Sequence, residues 1–215
     1  GVIRTDWGRE ETAAPPYGDY FQRAHAQGWF LIGYTGAHGV ANALDSFVEA
    51  GKELRGTKIR LVMVGRGPER DRLMKKIQEL GVQENAEALP AVEKEQIPAL
   101  LSQFDALYIG LQRQPLFRFG VSPNKLMDYM MAAKPVIFAV EAGNDLVAEA
   151  GCGFSIPPED SRAPALAARR MAATPLPERE KMGERGRAYI LQNNEYDVLS
   201  ERFRGVFLRG KFPPA

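Results

Sequence analysis

The chain has 215 residues, 45% of them hydrophobic, and its 28 Lys and Arg against 27 Asp and Glu leave a formal charge of +1. That length fits one or at most two domains with enough apolar residues for a real core, and the near-neutral balance excludes a general field for nucleic acid or an anionic membrane, so any anion is bound locally. A single cysteine, Cys152, excludes an internal disulfide and a cysteine-based metal site, and no apolar run approaches the roughly 20 residues needed to span a bilayer.

Residues 1 to about 27 are polar and broken by Pro15, Pro16 and Gly18, and read as a linker or surface strap rather than as core. The opening GVIRTDWGREETAAPPYG carries no signal-peptide core, which together with the lone cysteine gives a cytoplasmic location as the expectation. Residues 28–215 carry the periodic part of the chain. WFLIGYT, from Trp29, is a short apolar run typical of a buried strand, and Val40 to Leu54 places Leu44, Phe47, Val48 and Leu54 at helical spacing. Between them Gly36 and Gly39 flank Ala37-His38, so that backbone can approach a ligand closely or simply turn. IRLVMVG, Ile59 to Gly65, then precedes a helix through Asp71 to Leu80. The turn Val64 to Leu73 has Gly65 and Gly67 but lacks the third glycine of a dinucleotide fingerprint, so a NAD site is weakly supported there. Arg66 in that turn is a cation for phosphate or for solvent.

AEALPAV (residues 86–92) is a weaker strand, followed by a loop at Ala91 and Val92. FDALYIG, Phe104 to Gly110, is a stronger one. Gln112 to Gly120 mixes Arg113 and Arg118 with Phe117 and Phe119, too few of either for single-stranded nucleic acid but suited to a loop that closes on a ligand. PVIFAV (Pro135 to Val140) precedes a helix from Asp145 to Ala150, CGFSI (152–156) is a last weak strand, and Ser161 to about Leu208 reads as two or three amphipathic helices. Strands alternating with helices predict an α/β fold, a doubly wound, mostly parallel, Rossmann-like sheet whose ligands bind at the carboxyl ends of the strands.

The most informative stretch is FGVSPNKLMDYMMAAKPVI, Phe119 to Ile137. Ser122 as N-cap with Pro123 at the first helical position would leave first-turn amides and the positive helix end facing an anion. Lys125 in that turn opposes the dipole unless a phosphate sits in front of it. Asp128, one turn on, can accept two hydroxyl protons, as from a ribose. Met127, Met130 and Met131 read as core. His25 and His38 share no ligand spacing with the cysteine or with paired carboxylates, and no metal site is predicted.

This segment resembles the nucleotide-diphosphate-sugar motif of the family 4 (group 1) bacterial glycosyltransferases of GT-B fold, in the subgroup that reads SPNK followed by an acidic residue and tyrosine. The resemblance extends over most of residues 29–160, including EAGNDLVAEAGCGFSIPPED, and the opening Gly1-Val2 resembles the turn that closes the N-terminal domain of such enzymes, implying an excised C-terminal, donor-binding half. It implies a retaining, metal-independent transfer from a UDP-sugar, with no other cofactor, to a glycan or lipid-linked acceptor. Lys125, the helix amides, and His38 or Arg118 would stabilise the leaving diphosphate, and Asp128 would hold the ribose. Gly36, His38, Gly39, Arg66, Gly67, Val92, Ser122, Pro123 and Asn124 would complete the donor site. The family's first acidic residue would fall at Gly120, so its role, if kept, passes to Asn124 or another residue. The acceptor side would come from the missing N-terminal domain, with peripheral association of the full-length enzyme at the inner face of the membrane and a product in a surface polysaccharide. A nucleotide-sugar epimerase of related architecture, a NAD-dependent oxidoreductase and a non-catalytic nucleotide-binding module are the alternatives.

Overall fold

The computed structural model describes Val2, Trp7 and residues 16–209. After α1 (Gly18–Ala26) the chain alternates β1 (Phe30–Thr35), α2 (Leu44–Glu53), β2 (Ile59–Val64), α3 (Arg70–Glu79), β3 (Ala86–Leu89), α4 (Ile97–Ser102), β4 (Ala106–Gly110), α5 (Asn124–Met131), β5 (Val136–Ala139), α6 (Leu146–Ala150) and β6 (Gly153–Ser155). Three helices follow, α7 (Ala163–Ala173), α8 (Leu176–Asn193) and α9 (Tyr196–Arg209). The strands form one parallel sheet in the order β3-β2-β1-β4-β5-β6, so the winding reverses between β1 and β4. The connections leave to opposite sides of that reversal, the place where sheets of this kind bind ligands.

Alternate strand residues feed two cores. Leu31, Val62, Leu107 and Phe138 point into a layer closed by α1, α4, α5 and α8, whereas Ile32, Tyr34, Leu61, Met63 and Tyr108 meet α2, α3 and α7. Burial on both faces explains why the central strands read as continuous apolar runs. No helix among the described residues is long and apolar enough to cross a membrane.

The structure departs from the sequence reading in three places. Residues 18–26, expected within a polar strap, form a helix whose Phe21 and Ala24 are core residues, with the Phe21 ring edge-on to Phe104 at 4.9 Å; Val2 and Trp7 are buried too. Two apolar positions on one helix face are enough to dock it, though too few to give a strong periodic signal. The helix expected from Val40 starts at Leu44, because Val40–Asn42 is a 3-10 turn and Ala43 adopts φ 47, ψ 39. Ser122 does not cap α5: Pro123 holds that position with ψ 124, Ser122 makes no capping bond, and the Leu126 N–H reaches the Pro123 carbonyl at 3.0 Å. Pro123 is itself extended at ψ 124, so the first helical residue is Asn124.

Two interactions elsewhere in the fold set stability. A Cβ built at Gly183 of α8 would collide with the Ala133 carbonyl oxygen in the turn after α5. Gly183→Ala is therefore expected to destabilise by about 1–3 kcal/mol, as overpacking does elsewhere, seen as a shift of the urea midpoint at constant slope; an unchanged midpoint would mean the helix slides freely. Asp45 accepts from both ends of the Arg72 guanidinium at 2.7 and 2.6 Å and from Lys76 at 2.6 Å, tying α2 to α3. Hydrogen bonds from Arg72, then Lys76, hold its carboxyl down at about 2, below the usual 3.8. A depressed carboxyl contributes stability above its ordinary value and loses it as pH falls through its folded one. With both partners nearly half-exposed, Asp45→Ala is expected to cost about 1 kcal/mol at pH 7 and much less at pH 2, read by thermal denaturation at the two pH values.

Candidate functional site

The turns after β1, β2 and β3 and the first residue of α4 line a cavity, and α5 brings Lys125 to Gly36 at its edge. Lys125, in the first turn of α5, places its Nζ 4.3 Å above the Tyr34 ring centre and donates to the Tyr34 hydroxyl at 2.7 Å and to Asn42 Oδ1 at 2.8 Å. Its register is set by Tyr129 on the same helix, whose buried hydroxyl accepts the Thr35 N–H at 2.7 Å and donates to the Thr35 carbonyl at 3.2 Å. Burial lowers the Lys125 amine to about 8. A Cβ at Gly36 would stand 3.5 Å from that amine, so the glycine leaves Lys125 open toward the loop.

Gly36 borders this cavity of about 240 Å³, with Ala37, Gly65 and Arg66 on one side and Ala91, Val92 and Ile97 on the other. The expected residues Gly36, Arg66 and Val92 are thus brought to one hollow. Gly67 is a close-approach position, since an added Cβ would press on the His38 backbone, and Gly65 likewise faces the Gly36 carbonyl. Gly39 lies at φ −117, a backbone open to any residue. Asp128 is half-buried on α5 and burial raises its carboxyl from 3.8 to about 6, with Lys94 partly offsetting the rise. Asp128 does not line the cavity itself; it feels the charge of Lys94, three residues before the lining residue Ile97.

His38 differs from expectation. Its side chain is fully buried, its ring centre lies 6.0 Å from that of Tyr34, and neither ring nitrogen has a hydrogen-bond partner in the structure. Burial first, then Arg70 and Lys125, lowers its pKa to about 4. The imidazole is neutral at pH 7 and supplies no counter-charge; what fixes the loop is the His38 backbone, through N–H to Arg66 carbonyl at 2.8 Å and carbonyl from Glu69 N–H at 3.0 Å. Arg118 is exposed and stacks on the Phe119 ring at 4.6 Å, with no contact to Lys125 or Asp128. Asn124 and Ser122 are exposed at the start of α5, with Pro123 between them.

The position of the absent acidic group has a backbone reason. Gly120 has φ 101 and ψ 160, a region L side chains rarely adopt, and the following Val121 is clamped by Asn144, which accepts its N–H at 2.7 Å and donates to its carbonyl at 3.1 Å. Sequence reading missed Asn144, Tyr34, Asn42 and Tyr129. Each is a polar residue whose partner is remote in sequence; the available signals were a glycine near Tyr34, Asn42 and Asn144 and, for Tyr129, its place after Asp128 in the motif. Among the described residues no group of three or more His, Cys, Asp or Glu is placed to hold a metal.

The family model described as "Glycosyl transferases group 1" matches residues 21–189. No curated protein matches the chain. Among solved structures, the chain is similar to Anabaena HepE in complex with UDP-glucose, at 16% identity and TM-score 0.74, covering 97% of this chain and 56% of that one. It is also similar to sucrose-phosphate synthase from Thermosynechococcus elongatus, at 18% identity and TM-score 0.73, covering 97% and 52%. A glycosyltransferase from Rickettsia africae gives 14% identity and TM-score 0.72, covering 96% and 55%. At such identities the likeness is one of fold, and the chain spans about half the length of these structures.

Proposed function

The chain belongs to the group 1 glycosyl transferases, and from that premise we propose that its cavity binds the donor, a UDP-sugar, for a retaining transfer to a glycan or lipid-linked acceptor. The observation that carries this reading is the Lys125 ammonium held beside Gly36, a residue of the cavity lining, between β1 and the helix that follows β4, where the sheet order reverses. A diphosphate there would accept hydrogen bonds from the remaining Lys125 Nζ–H and from the Asn124 and Lys125 backbone amides, and this preorganised positive charge would stabilise the leaving group as it develops. The base would lie between Arg66 and Val92 and the ribose hydroxyls at Asp128. The solved Anabaena relative holds UDP-glucose, which favours uracil over other bases. Transfer would run without a metal, Lys125 and the helix amides taking the counter-charge. The acceptor side would be supplied by an N-terminal half of the enzyme, and closure of the two halves would exclude water.

Calorimetric titration of the chain with UDP, GDP, ADP and NAD tests the reading. Selective binding of UDP is the expected result, and preferential binding of NAD would overturn it.

A further inference from the structure

Four groups close a hydrogen-bond ring around Lys125. The Tyr34 hydroxyl accepts from Lys125 Nζ at 2.7 Å and donates to the Ala37 carbonyl at 2.6 Å. Asn42 Oδ1 accepts from Nζ at 2.8 Å while its Nδ2 donates to the same Ala37 carbonyl at 3.0 Å. Nothing in the ring is a carboxylate, and one Nζ proton is left over. Ala37 sits in the turn that borders the cavity, so whatever holds that carbonyl also sets the edge of the hollow.

We infer that Tyr34 and Asn42 are positioning residues: they aim the Lys125 ammonium at the diphosphate and, through the shared Ala37 carbonyl, fix the glycine turn in the shape that receives it. This rests on the donor reading above. A lysine salt-bridged to a carboxylate would be neutralised toward an anionic ligand, whereas two neutral acceptors orient the charge without cancelling it. Burial lowers the amine, and the two acceptors, by bonding the charged form, hold it above where burial alone would leave it. The titratable groups facing this ammonium are few: the Tyr34 phenol and the neutral His38 from the β1 side, with Arg70 behind His38, and Asp128 and Tyr129 on its own helix. None of them is an acid ion-paired with Lys125.

The ring is tested without ligand by NMR titration of lysine ε-carbons in the whole labelled chain, the Lys125 signal being the one lost in Lys125→Ala. Asn42→Ala is expected to move the Lys125 midpoint down and Asn42→Asp to move it up, each by about one pH unit. Tyr34→Phe, which keeps the ring face, is expected to move it down. Midpoints within a few tenths of the wild type in Asn42→Ala and Asn42→Asp would overturn the inference, whatever UDP does. With UDP present, Asn42→Ala is expected to bind about tenfold more weakly at pH 7. Loss of affinity in Lys125→Ala but not in Asn42→Ala would leave the donor site standing and remove the ring. Shifted midpoints with no binding of UDP would keep the ring and remove the donor reading.

Discussion

Lys125→Ala is expected to weaken UDP binding by about 10- to 100-fold at pH 7, the range of a hydrogen bond to a charged group. The side chain is held by Tyr34 and Asn42 at the edge of the cavity, so its loss removes the only lysine ammonium the structure brings to Gly36 among the described residues. The wild-type affinity is expected to carry a pH signature. Burial lowers the amine to about 8, so the charged form dominates below that value and affinity falls as pH rises through it. Lys125→Ala loses that alkaline fall, and calorimetry between pH 6 and 9.5 reads both effects. An affinity unchanged by the substitution would place the diphosphate elsewhere.

Asp128→Asn is expected to do two opposite things. The carboxyl rises from 3.8 to about 6 because it is largely removed from water, and no hydrogen bond to it is formed by the described residues. Such a rise corresponds to a penalty of about 3 kcal/mol for carrying the charge in the folded chain. For a carboxyl raised on folding, the favourable state is the protonated one: its contribution is full below 3.8 and is lost as pH rises through about 6. Removing the charge should therefore stabilise the ligand-free chain by about 1–3 kcal/mol at pH 7, with the gain vanishing toward pH 4. The same substitution should weaken UDP binding by about tenfold, since an amide oxygen replaces a carboxylate that would receive two ribose hydroxyls. Thermal denaturation from pH 4 to 8 checks the first part and calorimetry the second. A variant less stable at pH 7 would show that Asp128 has a partner holding its charge; an unchanged affinity would take the ribose away from it.

Together these results would describe a residue kept at the expense of stability for what it binds, as charged groups in half-buried sites often are. The donor half of the proposed reaction would then rest on one cation and one anion of the same helix, a single turn apart.

The sheet was legible because parallel strands buried on both faces read as unbroken apolar runs: Phe30–Thr35, Ile59–Val64 and Ala106–Gly110 all fall where those runs are. Lys125 and Asp128 were legible because a cation at a helix start and an acid one turn later are chemically conspicuous. Tyr34 and Asn42 were not, for their partner on α5 lies 91 and 83 residues away, and a tyrosine ending an apolar strand looks like any core residue. The state of His38 was not legible for a related reason. Its charge depends on burial between two turns that only the folded sheet brings together. The start of α5 was off by one residue because Pro123 satisfies either the cap or the first helical position, and only the backbone chooses.

The sheet order has one more consequence, for the chain as it is made. β1 is finished at Thr35 and gains β2 along one edge by Val64, but its other edge waits for β4, which starts at Ala106. A nascent chain released between those points presents an unpaired, apolar central strand, the kind of edge that recruits neighbours. The wait ends only as β4 slides into the vacant side, and the Lys125 helix follows it. Synthesis therefore passes through a window in which the growing polypeptide carries an exposed apolar strand edge and lacks the helix that bears Lys125.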